Sequence, residues 1–215
     1  MKIETKKRIL IVEDHPLYRD ALCQLVNKEK DLVVCGDTGD RAQALKLVQE
    51  TQPDMAIIDI TLGQANGIEL LKDIRALEDD LPVLIISMHD ASLYAERGLR
   101  AGARGYVMKH EAPERIRAAI RQILQGGIAF TEQVMESLVL KMAEGKGKSV
   151  VELLSDRELE VFRLIGQGMG TRQIAATLHL SIPTINGFRA RIKEKLKVSN
   201  GPELAFRAVR WAQQI

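Results

Sequence analysis

Five short runs rich in Val, Ile and Leu punctuate the first part of the chain: RILIVED (8–14), LVVCG (32–36), DMAIID (54–59), PVLIISM (82–88) and GYVMK (105–109). Each has the length of a strand and is apolar throughout rather than alternating, the signature of a strand covered on both faces. The segments between them carry helical spacing instead: Leu17, Ala21, Leu22 and Leu25; Ala42, Leu45 and Val48; Ile68, Leu71 and Ile74. Strands that alternate with helices of this length require right-handed crossovers. The pattern therefore predicts an α/β domain: a five-stranded parallel sheet wound with helices on both faces. Its last helix runs from about Ala112 to Gln125 and stops at Gly126-Gly127.

A second unit follows. Thr131 to Met142 is a short amphipathic stretch, and EGKGKSV (144–150) has the glycines and charges of an exposed connector. Beyond it the chain reads as all-helical, with four helices at roughly 156–166, 172–178, 182–197 and 201–213. Ser155-Asp156-Arg157-Glu158 is a capping box, Asn200 caps a helix with Pro202 in its first turn, and Thr171 and Ser181 are expected to accept from orphan backbone N–H groups. The expected organisation is 1–127 as the first domain, 128–152 as a linker with a short helix, and 153–215 as the second domain. With 215 residues, 46% of them hydrophobic, each part has enough apolar side chain for a core.

Charge divides along the same line. From Ser155 onward there are 10 Lys and Arg against 5 Asp and Glu, leaving 21 against 24 upstream, so a basic unit of net +5 follows one of net −3. A basic domain of this size has the electrostatic footprint of a nucleic-acid binder. Cys23 and Cys35 form no C-x-x-C pair, and His15, His89, His110 and His179 lie far apart without ligand spacing, so no metal site is expected on histidine or cysteine. No run approaches the ~18 uncharged apolar residues of a membrane span. The opening MKIETKKRIL lacks the apolar segment of a signal peptide, and the chain is expected to stay in the cytoplasm.

Ligands bind open parallel sheets beyond the carboxyl ends of the strands. The first strand ends in Glu13-Asp14, the third in Asp59, the fourth at Ser87 and the fifth at Lys109. Three carboxylates at one edge repel one another unless they share a cation, and an all-oxygen site suits Mg²⁺. Glu13, Asp14 and Asp59 are its expected ligands, with the backbone carbonyl of Thr61 completing the set. Lys109 brings a positive charge and Ser87 a hydroxyl donor, the parts needed to place and neutralise a phosphoryl group attacked by Asp59.

In that arrangement, residues 8 to about 125 resemble the receiver domain of two-component response regulators. SMHDASLYAERGLRAGARGYVMK (87–109) is especially similar to the NarL/FixJ subfamily. The resemblance implies a flavodoxin-like (CheY-like) fold, phosphorylation of Asp59 by the phosphohistidine of a sensor histidine kinase, and Ser87 and Tyr106 moving as a switch pair. Two departures stand out: Glu13-Asp14 replaces the frequent Asp-Asp, and His110 follows Lys109 where Pro is usual.

LSDRELEVFRLIGQGMGTRQIAATLHLSIPTI resembles the LuxR-type helix-turn-helix that follows such receivers, over residues 153 to about 211. Within LSIPTINGFRARIKEKL (180–196), Ile185, Phe188, Ile192 and Leu196 form one apolar stripe. Arg189, Lys193 and Lys197 flank it on one side, Arg191 and Lys195 on the other, so both shoulders are expected to meet phosphates from within a major groove. Thr184, Asn186 and Gly187 complete the candidate DNA contacts, Asn186 as a reader of adenine. The usual Lys-Thr-Val-x-x-His pattern is here Pro183-Thr184-Ile185-Asn186-Gly187-Phe188. Gly187 either lets the backbone approach DNA closely or marks a weakened reader.

The reading is of a regulator and not an enzyme. Phosphorylation of Asp59 controls binding of promoter DNA, and the phosphorylated chain is expected to pair as a homodimer, since one such module buries only roughly 600–1,000 Å² on DNA. Two alternatives compete with it. One is a protein-interaction regulator whose altered helix no longer holds DNA. The other is a Mg²⁺-dependent phosphohydrolase, disfavoured because no second Asp stands two residues after Asp59 to act as general acid.

Overall fold

The computed structural model describes residues 6–63, 65–88, 91–136 and 153–213. The connector expected at 144–150, and the stretch 131–142 beyond residue 136, lie outside the described residues. The chain divides into two compact units, Met1–Ala143 and Glu144–Ile215. No helix among the described residues is long and apolar enough to cross a membrane.

In the first unit β1 (Lys7–Val12), α1 (Pro16–Asn27), β2 (Leu32–Thr38), α2 (Arg41–Thr51) and β3 (Met55–Asp59) come first. They are followed by β4 (Thr61–Leu62), β5 (Ala65–Asn66), α3 (Gly67–Leu77), β6 (Val83–Ser87), α4 (Ala91–Arg100), β7 (Gly105–Met108) and α5 (Pro113–Leu124). The main sheet is parallel in the order β2-β1-β3-β6-β7. This is the expected doubly wound sheet, with the order reversing beside β1. Period-two alternation divides its residues between two layers. Ile9, Ile11, Met55, Ile57, Leu84, Ile86 and Val107 pack with Leu22 and Val26 of α1 and with Ile116, Ala119, Ile120 and Ile123 of α5. The opposite set, including Leu10, Ala56, Ile58 and Ile85, is buried as well, as are Ala44 and Val48 of α2 and Ile68, Leu71 and Ile74 of α3. Burial on both faces is why the strand runs are continuously apolar.

Local chemistry starts the helices near the edge of the sheet. Asp40 caps α2 by accepting from the Gln43 N–H, and Asn66 caps α3 by accepting from the Ile68 N–H. The antiparallel β4–β5 ribbon was not foreseen from the sequence. Two-residue strands carry no period to read.

The second unit holds α6 (Asp156–Gly166), α7 (Thr171–Thr177), α8 (Ile182–Leu196) and α9 (Gly201–Ala212), in place of the four expected helices. Ser155 Oγ accepts from the Glu158 N–H while the Glu158 carboxylate accepts from the Ser155 N–H, so the capping box is complete. Ser181 and Asn200 also cap as expected. Thr171 does not: Gly170 occupies the cap position and its N–H donates to Gln173 Oε1, leaving Thr171 as the first helical residue. Helix α8 ends one residue early, because Lys197 turns left-handed (φ 53°) and the Val198 N–H bonds back to the Lys193 carbonyl. Trp211 packs against Phe162, the ring centroids 5.4 Å apart and the planes tilted by 47°, whereas Val209 is exposed.

Ser155→Ala is expected to cost the second unit about 1 kcal/mol. Trp211 is the only tryptophan, so its fluorescence in urea reports the loss as a lower midpoint at unchanged slope.

Candidate phosphoacceptor site and recognition helix

All five main strands run the same way, so their carboxyl ends share one edge, and the order reverses between β1 and β3. Glu13 and Asp14 leave β1 there and Asp59 ends β3. Glu13 is fully buried, and Asp59 is 2% exposed. Lys109, just after β7, reaches both: its Nζ is 2.8 Å from Asp59 Oδ2 and 2.8 Å from Glu13 Oε1. Asp14 accepts from the Gly63 N–H at 2.7 Å. The Thr61 backbone amide, at the start of β4, hydrogen-bonds the Asp59 carboxylate. Four of the residues read as one site from sequence thus stand together. Ser87 is fully buried at the end of β6, and Tyr106, in β7, has its ring buried.

The electrostatics are those of an over-filled carboxylate site. Burial pushes the Asp59 carboxyl up to about 7; the neighbouring Glu13 charge adds to this, and Lys109 only partly offsets it. Burial alone would lower the Lys109 ammonium, but Asp59 and Glu13 outweigh it and hold its pKa above the usual value. Tyr18 lies against this lysine, its ring centroid 4.9 Å from Nζ and its hydroxyl 3.4 Å from the Lys109 carbonyl. Burial, with the charges of Glu13 and Asp59, pushes its phenol up to about 12, so it stays neutral.

His15, at which the sequence predicts no metal site, borders these carboxylates. It is exposed, yet its Nδ1 lies 3.0 Å from Asp14 Oδ1. One ligand atom each from Glu13, Asp14, His15 and Asp59 falls within 4.8 Å of the others. The signal in the sequence was adjacency to Glu13-Asp14 rather than histidine spacing. Gly67 was also missed. It opens α3 against the back of Asp59, where any Cβ would run into the Asp59 carbonyl.

In the second unit α7 and α8 meet through the turn at Leu178–Ser181, with His179 left-handed (φ 51°), and form the helix-turn-helix. Ile185, Ile192 and Leu196 face the core as expected; Phe188 is only partly buried. Thr184 and Asn186 are exposed in the first turns of α8. The two basic shoulders are not alike. Lys195 Nζ lies 2.6 Å from Glu158 Oε2, and Arg191 Nε lies 3.4 Å from Glu158 Oε1 with its guanidinium 4.7 Å from the centre of the Phe188 ring. Burial disfavours the Glu158 carboxylate, but Lys195 and the Ser155 N–H more than compensate and hold its pKa below the ordinary range. Arg189 and Lys193, on the other shoulder, make no ion pair among the described residues.

Comparison with known proteins agrees with both halves. Residues 9–121 match the response regulator receiver domain, and residues 152–208 match the bacterial regulatory proteins of the luxR family. The transcriptional regulatory protein UhpA of Salmonella typhimurium is 33% identical over 199 residues, covering 93% of this chain and 96% of that protein. The oxygen regulatory protein NreC of Staphylococcus carnosus is 30% identical over 205 residues, covering 92% and 94%. Among solved structures, a LuxR-family two-component response regulator from Aurantimonas sp. SI85-9A1 is similar over 65% of this chain and 99% of its own, with 32% identity and a TM-score of 0.60. RcsB from Salmonella enterica serovar Typhimurium, bound to promoter rprA with the phosphomimetic BeF3-, is similar over 94% of this chain and 97% of its own, with 25% identity and a TM-score of 0.61. With both units matched in this order, and with relatives that match along nearly their whole length, the chain belongs to the two-component response regulators of the NarL/FixJ group.

Proposed function

We propose that Asp59 accepts a phosphoryl group from the phosphohistidine of a sensor histidine kinase, and that this controls binding of promoter DNA through α8. The chain acts as a regulator and not as an enzyme. The observation that carries the reading is one ammonium, Lys109, set within hydrogen-bond reach of two buried carboxylates, with Asp14 beside them. That leaves a net negative pocket of oxygen donors, and it suits a hard divalent cation. Glu13, Asp14, Asp59 and the Thr61 carbonyl are the residues that would hold Mg²⁺. Bound there, the ion supplies positive charge toward the phosphoryl oxygens.

The protein's own groups do the rest. An oxygen of Asp59 forms the new bond to phosphorus as the bond from phosphorus to the kinase imidazole nitrogen breaks, and the nitrogen keeps the electron pair. Lys109, now released from part of its pairing with Asp59, neutralises the incoming oxygens, and the Ser87 hydroxyl donates to one of them. The acyl phosphate adds roughly −1.5 to −2 charges by analogy with other phosphorylated side chains, and Ser87 and Tyr106 repack in response. Shifting an off state to an on state from 1:99 to 99:1 takes about 5.5 kcal/mol. The on state is a homodimer placing two recognition helices on paired half-sites, and the protein works in the cytoplasm, where kinase and promoter are reached without a membrane.

The test treats the purified chain with acetyl phosphate, with and without Mg²⁺, and then captures genomic DNA fragments. One Mg²⁺-dependent phosphoryl adduct and a larger, reproducible set of bound promoters in the treated sample are expected. An unmodified chain, or identical DNA capture in both states, overturns the proposal.

A further inference from the structure

We infer that α8 reads A·T base pairs, with Asn186 as the residue that sets specificity, and that Glu158 removes the guanine-reading option by holding Arg191 off the groove. The inference rests on the DNA-binding reading above.

On a helical wheel that starts with Ile185 pointing to the core, the outward face of α8 carries Pro183, Gly187, Ala190 and Glu194, with Asn186 and Arg191 on its two margins. Glu194 lies toward the carboxyl end of that face and is repelled by phosphates, so the amino-terminal half of the helix is the part that enters a groove. Between Thr184 and Arg191, three side chains on that face or its margins offer polar atoms to base edges: Thr184, Asn186 and Arg191. Thr184 Oγ1 is 2.7 Å from Ser181 Oγ, so its hydroxyl serves the cap. Arg191 is the natural guanine reader by bidentate contact. Its Nε, however, pairs with the buried Glu158 carboxylate, and its guanidinium lies over Phe188. Asn186 remains, exposed and without a described partner, and an amide of that geometry matches adenine.

Gly187 is a separate observation pointing the same way. A Cβ there would meet only the tip of Arg191, at 3.9 Å, so packing within the protein does not require glycine at a helix position where glycine is disfavoured. The bare backbone permits close approach to a base pair. Ala190, one turn along, is an apolar surface for the C5-methyl of thymine. Phosphate contacts then fall to Arg189, Lys193 and Lys197, and the Glu158 pairings keep Lys195 and Arg191 from strengthening sequence-independent binding.

The experiment selects bound duplexes from a random library with the full-length chain after acetyl phosphate treatment. An A·T-rich half-site core is expected. Replacing its thymines with deoxyuridine, which deletes only the methyl groups, is expected to weaken binding several-fold. Asn186→Ala is expected to lose roughly 5- to 100-fold on the selected site while the dependence on salt stays the same. Glu158→Gln keeps a capping-box side chain and is expected to steepen the salt dependence and to admit guanine into the core. Gly187→Ala is expected to bind DNA more weakly without unfolding at a lower temperature. A guanine-rich core, no response to deoxyuridine, or an unchanged site preference in Asn186→Ala overturns the inference while leaving DNA binding intact. Failure to select any duplex overturns the functional reading itself.

Discussion

Asp59→Asn is expected to take up no phosphoryl group from acetyl phosphate and, in EDTA at pH 7.5, to unfold at a higher temperature than the parent. The first half follows from losing the proposed nucleophile. The second follows from the cost of the native charge. In the fold this carboxyl titrates at about 7, against an ordinary value of 3.8, because it is buried beside Glu13. The folded state therefore holds the proton more tightly than the unfolded chain does. This contribution to stability is fully present below about pH 4 and is lost as pH rises through 7. At about 1.4 kcal/mol per unit of pKa, reduced for the coupling to Lys109 and Glu13, the neutral amide recovers on the order of 2 kcal/mol. In the absence of metal the parent is thus expected to lose thermal stability between pH 5 and 8, and Asp59→Asn to lose less over that range. Saturating Mg²⁺ is expected to reverse the ranking, since a ligand that prefers the fold stabilises it in proportion to its binding and the variant has lost one of the proposed carboxylate ligands. Thermal scans at pH 5 and 8, with EDTA and with Mg²⁺, provide the check. A parent indifferent to all four conditions would show that the cluster carries no such strain.

Gly67→Ala is expected to be the most damaging single-methyl change in the first unit. The added Cβ would be buried in the Asp59 carbonyl group, 2.8 Å from its carbon and 3.0 Å from Ile60 Cα. These are backbone atoms of a central strand and cannot rotate aside. The Gly67 N–H also donates to the Ile60 carbonyl at 2.7 Å, so separating the two segments breaks a hydrogen bond as well. Overpacking of this kind costs roughly 1–3 kcal/mol and occasionally more, with the upper end expected where backbone has to move. The displaced strand end carries the proposed phosphoacceptor, so the surviving fold should also phosphorylate more slowly. Gly187→Ala makes the contrast: the same substitution in open space on an exposed helix is expected to gain about 0.5–1 kcal/mol. Urea midpoints of both variants, with Trp211 fluorescence reporting the second unit, test the opposite signs.

The two glycines also mark how far the sequence can be read. Residues 8–14 or 54–59 announce a strand because burial on two faces leaves no polar position, and the carboxylates at their ends mark the edge where the strand order reverses. Helix starts at Ser155, Ser181 and Asn200 are local chemistry within four residues. What stayed hidden depends on contacts distant along the chain or on shapes without a period. Nothing near Gly67 says that another backbone will pass against it. The two-residue strands β4 and β5 are too short to show alternation. Arg191 and Lys195 look like free cations until a carboxylate more than thirty positions earlier is found between them. Thr171 and Gly170 were confused because a glycine cap has no side chain to recognise.

The hydrogen bonds of Lys109 to Asp59 and to Glu13 span 50 and 96 positions. Groups this remote in the chain stay far apart until the last strand has added to the sheet, and each of them alone is an ordinary surface charge. A copy whose first unit has not folded thus presents no assembled site to the donor proposed above. If Asp59 is the phosphoacceptor as proposed, competence to receive the signal is in this way a certificate that the first unit has folded, and copies in which it has not drain no phosphoryl groups from the pathway.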